Sequence, residues 1–246
     1  MSRSNPNAHL TNPSTRWIEW SGERGELSYW DKEANDGKGE RVKVADGFAF
    51  ILLDQLATIK GYHEASQSGI YSNEVRDTKQ EVMIVRTHKG KPIAEGLYAA
   101  IKERVIAAGG KFTANCYIGF KNDDGELVLG SIQFKGASLS PWIEFTKAKR
   151  HEIFKKGIRI KGFTEGKKGS VTYKMPKFEI IEISEATDKI ASALDQELQT
   201  YLTAYLGQPK TAQVHREADD DDGDGIPMEH EAEEPEMELE ETDAPF

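Results

Sequence analysis

KFTANCYIGFK, residues 111–121, decides the fold class, because its side chains alternate without a break. Phe112, Ala114, Cys116, Ile118 and Phe120 fall on one side of an extended chain; Lys111, Thr113, Asn115, Tyr117 and Lys121 fall on the other. A period of two marks a strand with one dry and one wet face. Asp123-Asp124-Gly125 supplies a hairpin turn. Residues 126–135 continue as a second strand, with Val128, Ile132 and Phe134 inward and Gln133 and Lys135 outward.

Upstream, Leu97, Ala100, Ile101, Arg104, Val105 and Ala108 recur at helical spacing. They predict a helix that Pro92 allows to start and Gly109-Gly110 ends. Residues 70–76 and 81–89 are strand candidates split by Asp77-Thr78. Residues 47–62 carry Phe48, Phe50, Ile51, Leu52, Leu53, Leu56 and Ile59, an apolar run too long for one flat strand. A bulge near Asp54-Gln55, or a short helix starting at Asp54, accounts for it. Strand, strand, strand, helix, strand, strand over residues 47–135 is the order of an OB-fold barrel. Another small β-barrel and an α+β sandwich are the alternatives.

The flanks follow from local signals. Residues 16–20 and 26–31 read as short strands with turns at 21–25 and 35–39, and Trp17, Trp20 and Trp30 are expected to pack this ribbon onto the body. Ser140-Pro141 reads as an N-cap and first helical residue, with the helix running to about Lys156 before Gly157. Residues 158–161, 170–174 and 177–183, with a turn region at 164–169, form a basic β-hairpin or small meander. A last helix, residues 185–206, puts Ile190, Leu194, Leu198, Tyr201, Leu202 and Tyr205 on one face; Gly207 and Pro209 end it. The expected protein is mainly β with helices: an OB-fold-like β-barrel with an added helix, a basic β-hairpin and a C-terminal helix. It occupies residues 16–207, between a disordered N-terminus (1–15) and a disordered acidic tail (208–246).

The chain's 246 residues suit one domain or two small ones. It has no run of roughly 18 apolar residues that would span a membrane, and residues 1–15 lack the apolar region of a secretory signal. Cys116 alone excludes an intrachain disulfide and a cysteine-built zinc site, and fits a reducing cytoplasmic setting.

The net charge of −10 hides an asymmetry. Residues 217–246 hold 15 acidic residues and no Lys or Arg, so the body alone is +5. Residues 147–177 hold 11 Lys/Arg against Glu152 and Glu165, a net +9, so the rest of the body is −4. A concentrated basic segment points to a polyanion partner. Lys155, Lys156, Arg159, Lys161, Lys167, Lys168 and Lys174 alternate there with Phe154, Phe163, Tyr173 and Phe178. Cations that track phosphates and aromatic faces that stack bases are what a single strand requires; a solvated, solubilising face is the plainer explanation. Tyr117, on the wet face between Asn115 and Lys121 and near Lys111, is a second stacking candidate, unless a loop or the last helix covers it. Arg86-Thr87-His88-Lys89-Gly90-Lys91 is a third candidate, a loop whose Arg86, Lys89 and Lys91 can contact phosphates. Lys135, outward on its strand, joins them.

The tail contains Asp220-x-Asp222-x-Asp224-Gly225-x5-Glu231, a calcium-loop pattern. No amphipathic helix flanks it and Pro227 interrupts it, so an acidic run explains it better. The tail closes Asp243-Ala244-Pro245-Phe246. This resembles the tail tip of bacterial single-stranded DNA-binding proteins, an acidic segment ending Asp-Ile-Pro-Phe, with Ala244 in place of the isoleucine. The resemblance implies that Asp243, Pro245 and Phe246 dock replication or repair proteins, with the terminal Phe in an apolar pocket and basic residues on its carboxylate. The body, with its added helix and basic meander, is similar in layout to phage-type single-stranded DNA-binding proteins, which implies an OB fold and a bacterial or phage-infected cell.

Six scattered histidines show no ligand spacing, and residues 166–170 lack the first glycine of a phosphate loop. The sequence therefore predicts a non-catalytic protein without cofactor or metal. Its expected role is to coat single-stranded DNA in replication, recombination or repair, with a homo-oligomer compatible. A metal-dependent nuclease or recombination enzyme with a regulatory acidic tail is the alternative, and an RNA-binding OB protein the third.

Overall fold

The computed structural model describes residues 11–214. The acidic run, the calcium-loop pattern and the tip residues Asp243, Pro245 and Phe246 lie outside the described residues. In chain order the elements are β1 (Trp17–Ser21), β2 (Glu26–Asp31), a single turn α1 (Ala34–Gly37), β3 (Glu40–Lys43), β4 (Ala49–His63), β5 (Ser68–Ser72), β6 (Met83–Thr87), β7 (Pro92–Gly96) and α2 (Tyr98–Ala107). Then follow β8 (Gly110–Lys121), β9 (Leu127–Phe134), α3 (Leu139–Lys149), β10 (Gly157–Lys168), β11 (Val171–Ile181) and α4 (Glu185–Leu206).

The protein is mainly β. All eleven strands join one sheet, ordered β3-β2-β1-β9-β8-β4-β5-β6-β7, with β10 bonded to β4 and β11 to β10. The sheet is mixed, because β1 runs parallel to β9, and it does not close. Its axis is β4, fifteen residues long, whose apolar run Phe50–Leu53 sits where both edges are occupied. A register shift between Leu52 and Asp54 bends it. Before the bulge, β4 lies between β8 and β10; near its far end β5 takes the place of β10. The bulge expected near Asp54 therefore forms, and the alternative helix does not.

The inward residues of β8 are buried as their alternation requires: Phe112, Ala114, Cys116, Ile118 and Phe120 join one core with Trp142, Phe134, Phe50 and Ile158. Trp142 stacks on Phe134 at 4.6 Å and donates its indole N–H to Gln55 Oε1 at 2.9 Å. Burial pushes the Cys116 thiol well up, so it stays protonated and inert.

Several boundaries differ from the sequence reading. Pro92 opens β7 rather than a helix; β7 is an edge strand, where a missing N–H is tolerated. α3 begins at Leu139 and ends at Lys149, well before Lys156, with turns at 150–156 that bury Ile153. The basic meander is one long hairpin, β10–β11, reversed at Gly169 with φ +61. α4 has its expected bounds, and the Ser184 hydroxyl caps it by accepting from the Thr187 N–H at 3.2 Å. Beyond it the chain stays packed to Val214, which is buried against Tyr71 and Ile84. Thr15, read as the last residue of the disordered N-terminus, is bonded to β9: its backbone N–H and its hydroxyl both donate to the Leu129 carbonyl, at 2.9 and 2.7 Å. Trp20 enters the core as expected, whereas Trp17 and Trp30 remain partly open on the other face of the ribbon. Among the described residues no helix is long and apolar enough to cross a membrane.

Candidate nucleic-acid interface

The basic hairpin is rooted in the core and ends in solvent. Ile158 and Ile160 on β10, with Phe178 packed beside them, hold its base against Phe134 and Trp142. After a register shift between Ile160 and Phe163, most of the remaining β10 residues are exposed. Opposed residues of an antiparallel pair share a face, so the register divides the arm in two. One face carries Phe163 and Pro176, Glu165 and Lys174, Lys167 and Thr172. The other carries Thr164 and Met175, Gly166 and Tyr173, Lys168 and Val171. Phe163 and Tyr173 thus lie on opposite faces, a division that composition alone does not reveal.

Each aromatic is fixed by its neighbours. Phe163 is 40% exposed, and the Lys174 ammonium stands 5.1 Å from its ring centroid. Lys174 is itself tied to the β1–β2 turn: its N–H donates to the Gly22 carbonyl at 2.7 Å and its ammonium to the Arg24 carbonyl at 3.2 Å. The Trp20 indole donates to the Lys174 carbonyl at 2.9 Å. Tyr173 lies over Gly166, where a Cβ would meet the ring at 2.6 Å. Lys167 and Lys168 are exposed and have no ion-pair partner among the described residues.

Nearer the root the basic segment is partly neutralised. Arg159 and Lys161 both reach Glu179, at 3.3 Å each, and Lys156 reaches Glu182 at 2.6 Å and Glu152 at 3.4 Å. The bond to Glu182 holds the Lys156 ammonium above its ordinary range. Glu179 and Glu182 stand just past the +9 window of sequence, and the hairpin folds them back onto it. Lys155 stays exposed in the turn after α3, beside the exposed Phe154.

The remaining candidates lie elsewhere. Tyr117 is fully buried and cannot stack a base: α4 covers its face, with Leu198, Tyr201, Leu202 and Tyr205 packed on Leu56, Tyr117 and Leu129. Lys135 is also buried, its ammonium 3.1 Å from Glu19 Oε1, and does not face solvent. Lys121 is exposed at the end of β8. Arg86 lies in β6 rather than a loop; Lys89 and Lys91 lie in the turn that follows, with the Lys89 ammonium donating to the carbonyls of Ser66 and Gln67 at 2.8 and 3.0 Å. Lys111, half-buried, stands opposite Lys60, which the sequence reading did not single out.

Beneath α4 sits a buried carboxylate that sequence reasoning missed. Glu74 accepts from the Tyr117 hydroxyl at 2.6 Å and from the Asn115 amide, and its own N–H donates to the Tyr205 hydroxyl at 3.0 Å. Asp54, outward at the bulge, is held by both guanidinium nitrogens of Arg76 at 3.0 and 2.8 Å and by Gln199 of α4 at 2.8 Å. These polar groups fix α4 on the face that the alternation of β8 marked as wet.

No family model, curated protein or solved structure matches the chain. Among the described residues no group of three or more metal-binding side chains is clustered.

Burial raises the Glu74 carboxyl above the usual range, against the opposing effect of its two donors. A carboxyl raised on folding adds stability below its unfolded value and loses it as pH rises through the folded one. Glu74→Gln should therefore become increasingly stable relative to the natural chain as pH is raised above the ordinary glutamate range. Denaturant midpoints at several pH values check this; a difference that shrinks with rising pH contradicts it.

Proposed function

We propose that this chain is a single-stranded DNA-binding protein. It coats exposed strands during replication, recombination or repair without strong sequence preference, and works in the cytoplasm. The observation that carries the reading is the β10–β11 arm, a ribbon rooted in the core that bears exposed Phe163, Lys167 and Lys168 beside half-buried Tyr173 and Lys174. Stacking surfaces interleaved with cations suit a flexible strand, whose bases are open, better than a duplex, whose bases are not. An OB-type arrangement is supported by the shared bent strand β4, its pairing with β5 and β8, and α2 between the third-strand region and β8. On this reading the sheet is an open relative of that barrel.

The tail supplies the second half of the proposal: Asp243, Pro245 and Phe246 dock replication or repair proteins, while the acidic run competes with DNA for the basic arm. Deleting residues 217–246 should tighten DNA binding at low salt and abolish partner capture. Phe246→Ala leaves the tail charge unchanged, so DNA affinity should hold while capture is lost, because apolar anchors dominate such interfaces, at about 2 kcal/mol or more. Equal recovery of replication proteins by the natural chain and Phe246→Ala would refute the tip as a docking site.

Incubation with labelled single-stranded DNA and magnesium tests the class. Binding without cleavage is expected; cleavage by purified protein that is lost on mutation would replace this reading with the nuclease.

A further inference from the structure

The β1–β2–β3 ribbon turns two tryptophans away from the core. Ile18 pairs with Tyr29 and Trp20 with Leu27, and all four pack inward. The next register step sets Trp17 beside Trp30 on the other face, and Trp30 pairs with Arg41 of β3. Trp17, Trp30 and Arg41 therefore form a row across three neighbouring strands, with adjacent members about 5 Å apart at Cβ. The two rings are 40% and 37% exposed. Trp30 is fixed over Gly39, where a Cβ would meet its ring at 2.5 Å. A single exposed apolar side chain is ordinary; two large rings side by side, in line with a guanidinium, make a surface.

The register also sorts the charge. Asp31 and Glu40 pair on the opposite face of the ribbon from the tryptophans. On the tryptophan face Glu19 is held by Lys135 at 3.1 Å and Arg41 at 3.9 Å, and Glu26 by Arg24 at 3.0 Å and Lys43 at 3.5 Å. Lys43 also reaches Asp46, at 3.1 Å. Arg41 contacts Glu19 and Ser28 through Nη1, and its other guanidinium nitrogens have no partner among the described residues. The core of a protein interface is a broad dry patch, whereas these two rings stand among paired charges. A nucleobase is a flat ring with polar edges, and aromatics on neighbouring strands of a sheet can stack successive bases. A phosphate beside them suits the open side of the Arg41 guanidinium.

The ribbon is joined to the β10–β11 arm at the β1–β2 turn. A Cβ on Gly25 would meet Phe163 at 2.9 Å, and Lys174 bonds the Gly22 and Arg24 carbonyls. From Gly25 to Trp30 is five residues, about 17 Å of strand. We infer that Trp17 and Trp30 stack successive bases of the single strand held by the arm, and that Arg41 holds a phosphate beside them. The inference rests on the single-strand reading of the chain and extends its site onto a second surface.

Titration of the full chain with oligothymidylate, read by intrinsic fluorescence and by anisotropy of a labelled strand, tests it. The natural chain should bind and be quenched. Trp17→Phe with Trp30→Phe keeps two aromatic faces, so binding should persist while the quench falls to what the buried Trp20 and Trp142 give. Trp17→Ala with Trp30→Ala should lose at least about 30-fold in affinity. Arg41→Gln should flatten the slope of log K against log salt by about 0.7. A quench that survives intact in the phenylalanine pair, or a folded alanine pair that binds like the natural chain, overturns the inference and leaves the arm in place. A natural chain that binds no strand overturns the single-strand reading, and this inference with it. An alanine pair of natural affinity whose sedimentation shifts from dimer to monomer overturns it in favour of a second copy on this face.

Discussion

Tyr117→Ala is expected to lower stability by about 3–5 kcal/mol, the range for truncating a large buried side chain. Its ring is wholly enclosed between the sheet and α4, against Leu56, Leu198 and Tyr205. Its hydroxyl is one of two side-chain donors to Glu74, at 2.6 Å. The alanine variant therefore opens a cavity and leaves a buried carboxylate under-bonded. Tyr117→Phe separates the two effects: packing is kept, and only the hydroxyl's share, about 1–3 kcal/mol, is lost. DNA affinity of the folded phenylalanine variant should be that of the natural chain. Urea denaturation and strand binding on the same samples check both statements. An alanine variant with natural stability and lost DNA binding would return Tyr117 to the interface.

The other large effect lies on the arm. Phe163→Ala and Tyr173→Ala are each expected to reduce single-strand affinity by about 1–3 kcal/mol, the range for one base stacked on one aromatic side chain. The two rings lie on opposite faces of the ribbon, so a strand that uses both must wrap its edge. The double variant should then lose about 2–6 kcal/mol, at least about 30-fold. An effect confined to one variant names the face that carries the strand. Unchanged affinity in the double variant would remove the arm as the binding site. Lys155 to Ala should matter less, and chiefly at low salt, because an exposed cation acts through a screened field.

The strands and helices that the sequence discloses are those whose pattern is local. Alternation in β8, the apolar run of β4 with its bulge, and the capped amphipathic α4 each follow from residues within one element. What escaped was the partner each face chooses. Thr113, Asn115 and Tyr117 read as wet because their strand alternates, yet α4 needs an apolar surface for Leu198, Leu202 and Tyr205 and finds it around Tyr117. Glu74 gave no signal, since its burial depends on side chains from β8 and α4 brought together only in three dimensions. The basic segment was legible as charge, but its division was not: Glu179 and Glu182 neutralise the root, and pairing register sends Phe163 and Tyr173 to opposite faces.

Affinity for an oligothymidylate and for a duplex of equal length, measured across a salt series, tests the central claim most directly. Each phosphate neutralised on a single strand contributes about −0.7 to the slope of log K against log salt, so about four to six contacts give a slope of about −3 to −4. The expected result is that slope, with the single strand bound more tightly than the duplex at every salt concentration. A slope near zero, or a duplex bound as tightly as the single strand, would contradict the proposal.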